Sequence, residues 1–225
     1  MRPVPGFLSD DLTFELRLAT LLCVEPELDN FGSGGDESQI ADYVRRAQSG
    51  DAEGFRQLFR LHVRRLHRLV HRLAGPGGDV EDLVQTIFVQ AFRALPGFRG
   101  DAAFFTWLGR IAVRTTLRQS RRARPRTLPL DETMDGDAGG SPESASDARR
   151  ALARFDAILA SLSEKRRTAF VLHVLEGHSL DEVADLLGAR AGAIKVRIHD
   201  ARVEIERQAR RDPYLAHYLQ WEPTT

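Results

Sequence analysis

Residues Ser179–Ile205 read SLDEVADLLGARAGAIKVRIHDARVEI. Ser179, with Glu182 three residues on, is a capping box, and it opens a short helix. That helix ends at Leu187-Gly188-Ala189, where Gly188 can take the positive φ of a tight turn. A longer helix then runs from about Ala191 to Ala209. Short helix, glycine turn and longer helix make a helix-turn-helix arrangement.

The rest of the chain reads as helix too, and no segment shows the alternation of a strand. Leu12 to Leu22 suits one short helix with Ser9 as N-cap, and a Gly/Ser/Asp stretch, Phe31 to Ser38, follows. Gln39–Gln48 is short. Ala52–Leu73 places Phe55, Leu58, Phe59, Val63, Leu66 and Val70 at core spacing. Gly75 to Gly78 breaks it, and Asp79 caps a helix with Val80, Leu83, Val84, Ile87, Phe88, Ala91 and Phe92 inward. Pro96-Gly97 ends that helix. Pro125 to Asp147 is Pro, Gly, Ser and acid without period, a linker. From Ala148 helices resume: Leu152, Phe155, Ile158, Leu159 and Leu162 mark one, and Ser163 begins another that reaches about Glu176.

The expected fold is therefore all-α, two small helical domains joined by a flexible linker, the second containing the helix-turn-helix. The divisions are an acidic N-terminal extension (1–38), a first domain (39–126), an acidic linker (127–150), a second domain (151–210) and a C-terminal tail (211–225).

The formal net charge of zero hides an asymmetry. Residues 1–38 carry −6, residues 39–126 carry +10, residues 127–150 carry −4 and residues 151–225 are neutral. Lys165 and Lys195 are the only lysines. Arginine forks onto phosphate and stacks on planar groups, so its clustering suits nucleic acid. A GC-rich genome also enriches arginine over lysine, which explains the bias but not the clustering. Cys23 is the only cysteine, which excludes an intramolecular disulfide and a cysteine-based zinc site. Asp10 and Asp11 stand where a signal peptide is basic, and no apolar run reaches membrane-spanning length. The expected location is the cytoplasm, with no membrane insertion.

Gly97 to Arg126, GFRGDAAFFTWLGRIAVRTTLRQSRRARPR, carries the densest cationic pattern. At about 100° per residue, Arg110, Arg114, Arg118 and Arg121 share one arc, while Phe104, Leu108, Ile111, Ala112 and Thr115 share a neighbouring one. Trp107 lies on the border. Rings beside guanidinium groups can hold bases and grip phosphate; the rival reading is an ordinary amphipathic helix with aromatic core. Phe104 and Leu108 are expected in the core, with one of Phe105 or Trp107 exposed.

Three stretches resemble the extracytoplasmic-function (ECF) group of bacterial sigma factors: Asp79–Gly100 (DVEDLVQTIFVQAFRALPGFRG), the stretch from Phe98 to Arg124, and Leu162–Arg202. The resemblance covers about Gln39 to Arg210, in order, with an acidic linker between. It implies binding to the clamp helices and flap of core RNA polymerase, reading and opening of the minus-ten element, and minus-thirty-five reading by the helix-turn-helix. Polymerase docking falls on Asp82, Gln85, Thr86 and Gln90. Minus-ten contacts and melting fall on Phe105, Trp107, Arg110, Arg114, Arg118, Arg121 and Arg122, and minus-thirty-five contacts on Arg190, Ala193, Lys195, Arg197, His199 and Arg202. A regulator such as an anti-sigma factor is a further implied partner, beside promoter DNA. The chain departs from the family pattern at Thr86, Arg114 and Arg190, where relatives usually carry Glu, Asn and Ser or Thr. Ala191, Ala193, Val196 and Asp200 also replace positions that are often polar or basic, so minus-thirty-five reading is expected to be atypical or to lean on DNA shape.

Rival chemistries are weaker. His67 and His71 lie one turn apart, but Arg64, Arg65, Arg68 and Arg72 surround them and disfavour a divalent ion. Asp79, Glu81 and Asp82 are explained by capping and the helix dipole. No phosphate-binding loop or nucleotide fingerprint is present, so neither enzyme activity, metal nor cofactor is expected. A helix-turn-helix regulator without sigma activity explains 151–210 but not the first domain. Residues 1–38, acidic and partly apolar, suit either an intramolecular cover on the basic first domain or a disordered tail.

Overall fold

A computed structural model describes residues 37–76, 78–120 and 142–218, with side chains from Asp147 onward in the last segment. The expected short helix at Leu12–Leu22 lies outside the described residues, as does the linker up to residue 141. Among the described residues every regular element is helical.

The first unit contains α1 (Glu37–Gln48), α2 (Ala52–Ala74), α3 (Val80–Ala94), a 3-10 turn (Leu95–Gly97) and α4 (Phe104–Ser120). Asp51 caps α2 by accepting the Glu53 N–H at 2.8 Å, and Arg46 holds the same carboxylate at 2.7 Å. The α1–α2 corner needs Gly54, because a Cβ there would lie 2.7 Å from the Ala47 nitrogen. Leu58, Leu66, Leu69 and Val70 of α2 pack on Leu83, Ile87 and Phe88 of α3 and on Phe104, Leu108 and Ala112 of α4, all buried. Phe59 is an exception to the expected stripe. It is exposed, with its ring 4.7 Å from Phe88.

The second unit contains α5 (Pro142–Ser161), α6 (Glu164–Phe170) continued by one π-helical turn (Val171–Leu175), α7 (Leu180–Leu187), α8 (Ala191–Arg211) and α9 (Pro213–Tyr218). Phe155, Leu159, Phe170, Ala201, Ile205 and Leu215 form its own core. One expectation is corrected. α5 starts at Pro142 rather than Ala148, since proline is well tolerated in a first helical turn, where its missing N–H costs nothing. Part of the C-terminal tail is helical. α9 buries Leu215, and the Tyr214 hydroxyl reaches Asp147 at 2.9 Å.

The two units are not packed separately. Ala169, Val171, Leu172, Val183, Ala184, Ile194 and Ile198 join the apolar core of the first unit. Arg167, buried, donates through Nη2 to the Leu73 and Ala74 carbonyls at 3.3 and 3.4 Å, and through Nη1 to the Leu162 carbonyl at 3.0 Å. It thereby satisfies carbonyls left open at the C-terminus of α2, at the negative end of that helix dipole. Burial lowers its pKa from the ordinary arginine value. Arg72 meets Asp156 at 3.1 Å, Arg65 meets Glu176 at 3.5 Å and Ser120 donates to Glu164 at 2.7 Å.

Candidate nucleic-acid interface

α4 sorts its side chains as its period requires. Ala112, Val113, Thr115 and Thr116 are buried, and Arg114 and Arg118, one turn apart, are exposed. Arg110 is half-exposed, and its Nη2 meets Glu182 of α7 at 3.1 Å. Arg121 and Arg122 lie outside the described residues.

The aromatic group is mostly core. Phe104 is buried as expected. Phe105 is only 8% exposed, which corrects its expected availability to bases. Its ring lies 5.8 Å from His62, and the Arg65 guanidinium sits 3.8 Å from its centroid. A closely overlying cation stabilises the ring where it is and occupies that face. Trp107 is half-buried, 5.0 Å from Phe98 and 5.6 Å from Phe104. Its remaining accessible surface makes it the aromatic residue of α4 open to a base. Arg65 is a cation beside this site that the pattern of α4 could not reveal. Its signal lies in the arginine run of α2, some forty residues earlier.

Beneath these rings His62 is buried between Phe104 and Phe105, and its Nε2 has no hydrogen-bond partner among the described residues. Burial, and then the Arg65 charge, push its pKa down to about 4, so it is neutral at physiological pH.

On α3, Asp79 caps by accepting the Asp82 N–H at 3.0 Å. Asp82 and Gln85 are exposed, Thr86 is half-buried, and Gln90 is drawn inward, where its Oε1 accepts the Thr115 hydroxyl at 2.9 Å. Val89 is an exposed apolar residue on the same helix that sequence reasoning passed over. It stands seven residues beyond Asp82, on the same stripe as Gln85.

In the helix-turn-helix, both bonds of the capping box form: Glu182 N–H to the Ser179 hydroxyl at 3.2 Å and Ser179 N–H to the Glu182 carboxylate at 3.0 Å. These Ser179 bonds hold the Glu182 carboxyl below its ordinary pKa. Gly188 is left-handed, φ 60°, and its N–H closes α7 on the Ala184 and Asp185 carbonyls. α8 starts at Arg190 without a side-chain cap. Ile194, Ile198, Ala201 and Ile205 anchor it. Arg190, Ala193, Lys195 and His199 are exposed, and Arg197 and Arg202 are half-buried. Asp200 is paired with Arg166 of α6 at 3.0 Å.

Among the described residues no group of three His, Cys, Asp or Glu side chains is placed to hold a metal. Burial, and then His71, lower the His67 pKa. No described helix is long and apolar enough to cross a membrane.

Comparison with known proteins matches these two units. Residues 58–126 fit Sigma-70 region 2, and residues 152–205 fit Sigma-70 region 4. The ECF RNA polymerase sigma-E factor of Escherichia coli (strain K12) is 34% identical over 180 residues, covering 75% of this chain and 94% of the relative. The ECF RNA polymerase sigma factor SigM of Mycobacterium tuberculosis is 35% identical over 179 residues, covering 78% and 88%. Among solved structures, CnrH in complex with the cytosolic domain of CnrY is 29% identical, with a TM-score of 0.51 over 76% of this chain and 96% of that one. The sigma factor RpoE in complex with the anti-sigma factor NepR from Bartonella quintana, at 22% identity and TM-score 0.54 over 72% and 99%, shows the same fold. The chain belongs to the sigma-70 family, within its ECF group, and its activity is that of a sigma factor in transcription initiation.

Proposed function

We propose that the two units divide the work of initiation. α3 docks on core RNA polymerase through Asp82, Gln85 and Thr86, with Gln90 supporting the helix from within. α4 grips and opens the minus-ten DNA, and the helix-turn-helix of α7 and α8 enters the minus-thirty-five major groove. The observation that carries this reading is the exposed Arg114–Arg118 row beside half-open Trp107, on the helix that follows the docking helix.

Opening a duplex step costs about 1.4 kcal/mol of stacking, and capturing an unstacked base on an aromatic ring returns about 1–3 kcal/mol. Trp107 serves as that platform, and Arg114 and Arg118 hold the backbone with salt-dependent affinity. Arg114, which departs from the Asn usual in the family's pattern, sets the minus-ten preference. Arg110 and Arg65 join the DNA face once Glu182 and Glu176 release them.

The chain performs no covalent chemistry, uses no cofactor and works in the cytoplasm, where core polymerase is. Of the solved structures it is similar to, one holds CnrH with the cytosolic domain of CnrY and another holds RpoE with the anti-sigma factor NepR. An anti-sigma factor of the same kind suits this chain, its place being the surfaces used for polymerase and DNA. Run-off transcription with purified core enzyme on a genomic promoter pool tests the whole reading. Specific initiation dependent on this chain supports it. DNA binding without initiation favours a helix-turn-helix regulator instead.

A further inference from the structure

Val196 stands out on α8. It is 60% exposed, more than any other exposed large hydrophobic side chain among the described residues. At about 100° per residue it points opposite the arc of Ile194, Ile198, Ala201 and Ile205 that anchors the helix, so packing does not explain it.

Its surroundings suit a base edge. Gly192 and Ala193, in the turn before it, are exposed and short, and even a Cβ on Gly192 would meet nothing within 4 Å. Nothing there holds the helix away from the groove floor. Cations flank the stripe on both sides, Arg190 and Arg197 along one edge and Lys195 and Arg202 along the other. Asp200, the nearby anion, is already matched by Arg166. Val196 is the sixth residue of α8, in the N-terminal part of the helix that reaches base edges in this motif.

We infer that Val196, supported by Ala193, reads thymine 5-methyl groups in the minus-thirty-five major groove. This rests on the sigma-factor reading above. Valine has neither donor nor acceptor. Of the four base-pair edges in the major groove, only those with thymine offer an apolar group. Against guanine or cytosine the same side chain covers polar atoms and leaves them without partners, which costs binding. The element it reads therefore carries thymine where Val196 lands, while the flanking cations hold phosphate and carry no sequence information.

The test uses holoenzyme reconstituted from the full chain and purified core, on a promoter selected from the genomic pool. Thymines of the minus-thirty-five element are replaced one at a time by deoxyuridine, which lacks only the methyl group. Loss of one buried methyl is expected to weaken binding about fourfold. The Val196→Ser holoenzyme is expected to bind the thymine and deoxyuridine duplexes equally. Deoxyuridine in the minus-ten element serves as control and is expected to affect both proteins alike. Unchanged wild-type affinity at every minus-thirty-five thymine overturns the inference, and so does an equal loss in the Ser variant. Failure of the wild-type chain to start transcription anywhere in the pool overturns the sigma-factor reading as well, and the two failures are thereby told apart.

Discussion

His62 and Gly75 each concentrate a physical cost in one residue. The His62 imidazole is neutral in the fold with a pKa of about 4, against an ordinary 6.5. Below pH 6.5 the unfolded chain takes up a proton that the folded chain refuses, so stability falls as pH falls towards 4. Between pH 7.5 and 5 the expected loss is about 2 kcal/mol from this group. The lowered pKa of His67 acts in the same direction. In a His62→Leu variant the drop in urea midpoint over this range is expected to shrink by the His62 share.

Gly75 has φ 68°, and a Cβ there would come within 2.6 Å of the Arg167 guanidinium. That guanidinium is held by carbonyls of both units, so moving it aside breaks those hydrogen bonds. Gly75→Ala is expected to cost about 2–4 kcal/mol, from left-handed backbone strain together with lost charge-assisted hydrogen bonds. Gly50→Ala isolates the backbone part. It has φ 88° with open space around it and is expected to cost only about 1–2 kcal/mol in the same melt.

Helix boundaries follow local chemistry closely here. The capping box at Ser179, the left-handed Gly188 and the Asp79 cap bind backbone groups within a few residues, so they were legible from spacing, whereas the Asp51 cap was passed over. The π-helical turn at Val171–Leu175 was not, because nothing in VLHVL separates it from ordinary helix. Recognition helix α8 trades helix stability for charge at its start: Arg190 occupies the N-cap and makes no capping bond. Arg190→Ser is expected to raise stability by about 1 kcal/mol. It is also expected to reduce the slope of log affinity against log salt for holoenzyme on promoter DNA by about 0.9, the value of one phosphate contact. Thermal melts and a salt series read the two effects separately.

At the scale of the molecule, the minus-ten and minus-thirty-five elements lie roughly 25 base pairs apart, about 85 Å along B-form DNA at 3.4 Å per step. A compact chain of this size is only about 40 Å across. Here Arg110 of α4, proposed to join the DNA face, touches Glu182 at the start of α7, at 3.1 Å. If α4 and the helix-turn-helix read the two elements as proposed, contact between the units is incompatible with reading both at once, and they are expected to part on the promoter. Cysteines at Ser120 and Glu164, whose side chains meet at 2.7 Å, place a reactive pair across the boundary. In a Cys23→Ser background, a short reducible thiol crosslink between them is expected to abolish run-off initiation, and reduction is expected to restore it.

By itself the sequence determined most of the helices, the Asp79 and Ser179 caps, the helix-turn-helix and the membership in the sigma-factor family. Those depend on periodicity and on groups a few residues apart. Tertiary structure alone decided that Phe105 is covered and Trp107 half-open, that Gln90 turns inward and that Val196 stands bare. It also matched Arg110 with Glu182, Arg72 with Asp156 and Arg167 with the end of α2, pairs 72, 84 and about 94 positions apart. A helical period says which side chains share a face. Which face meets another helix, and which acid meets which arginine, is set by packing between distant segments, where burial and charge act through space rather than along the chain.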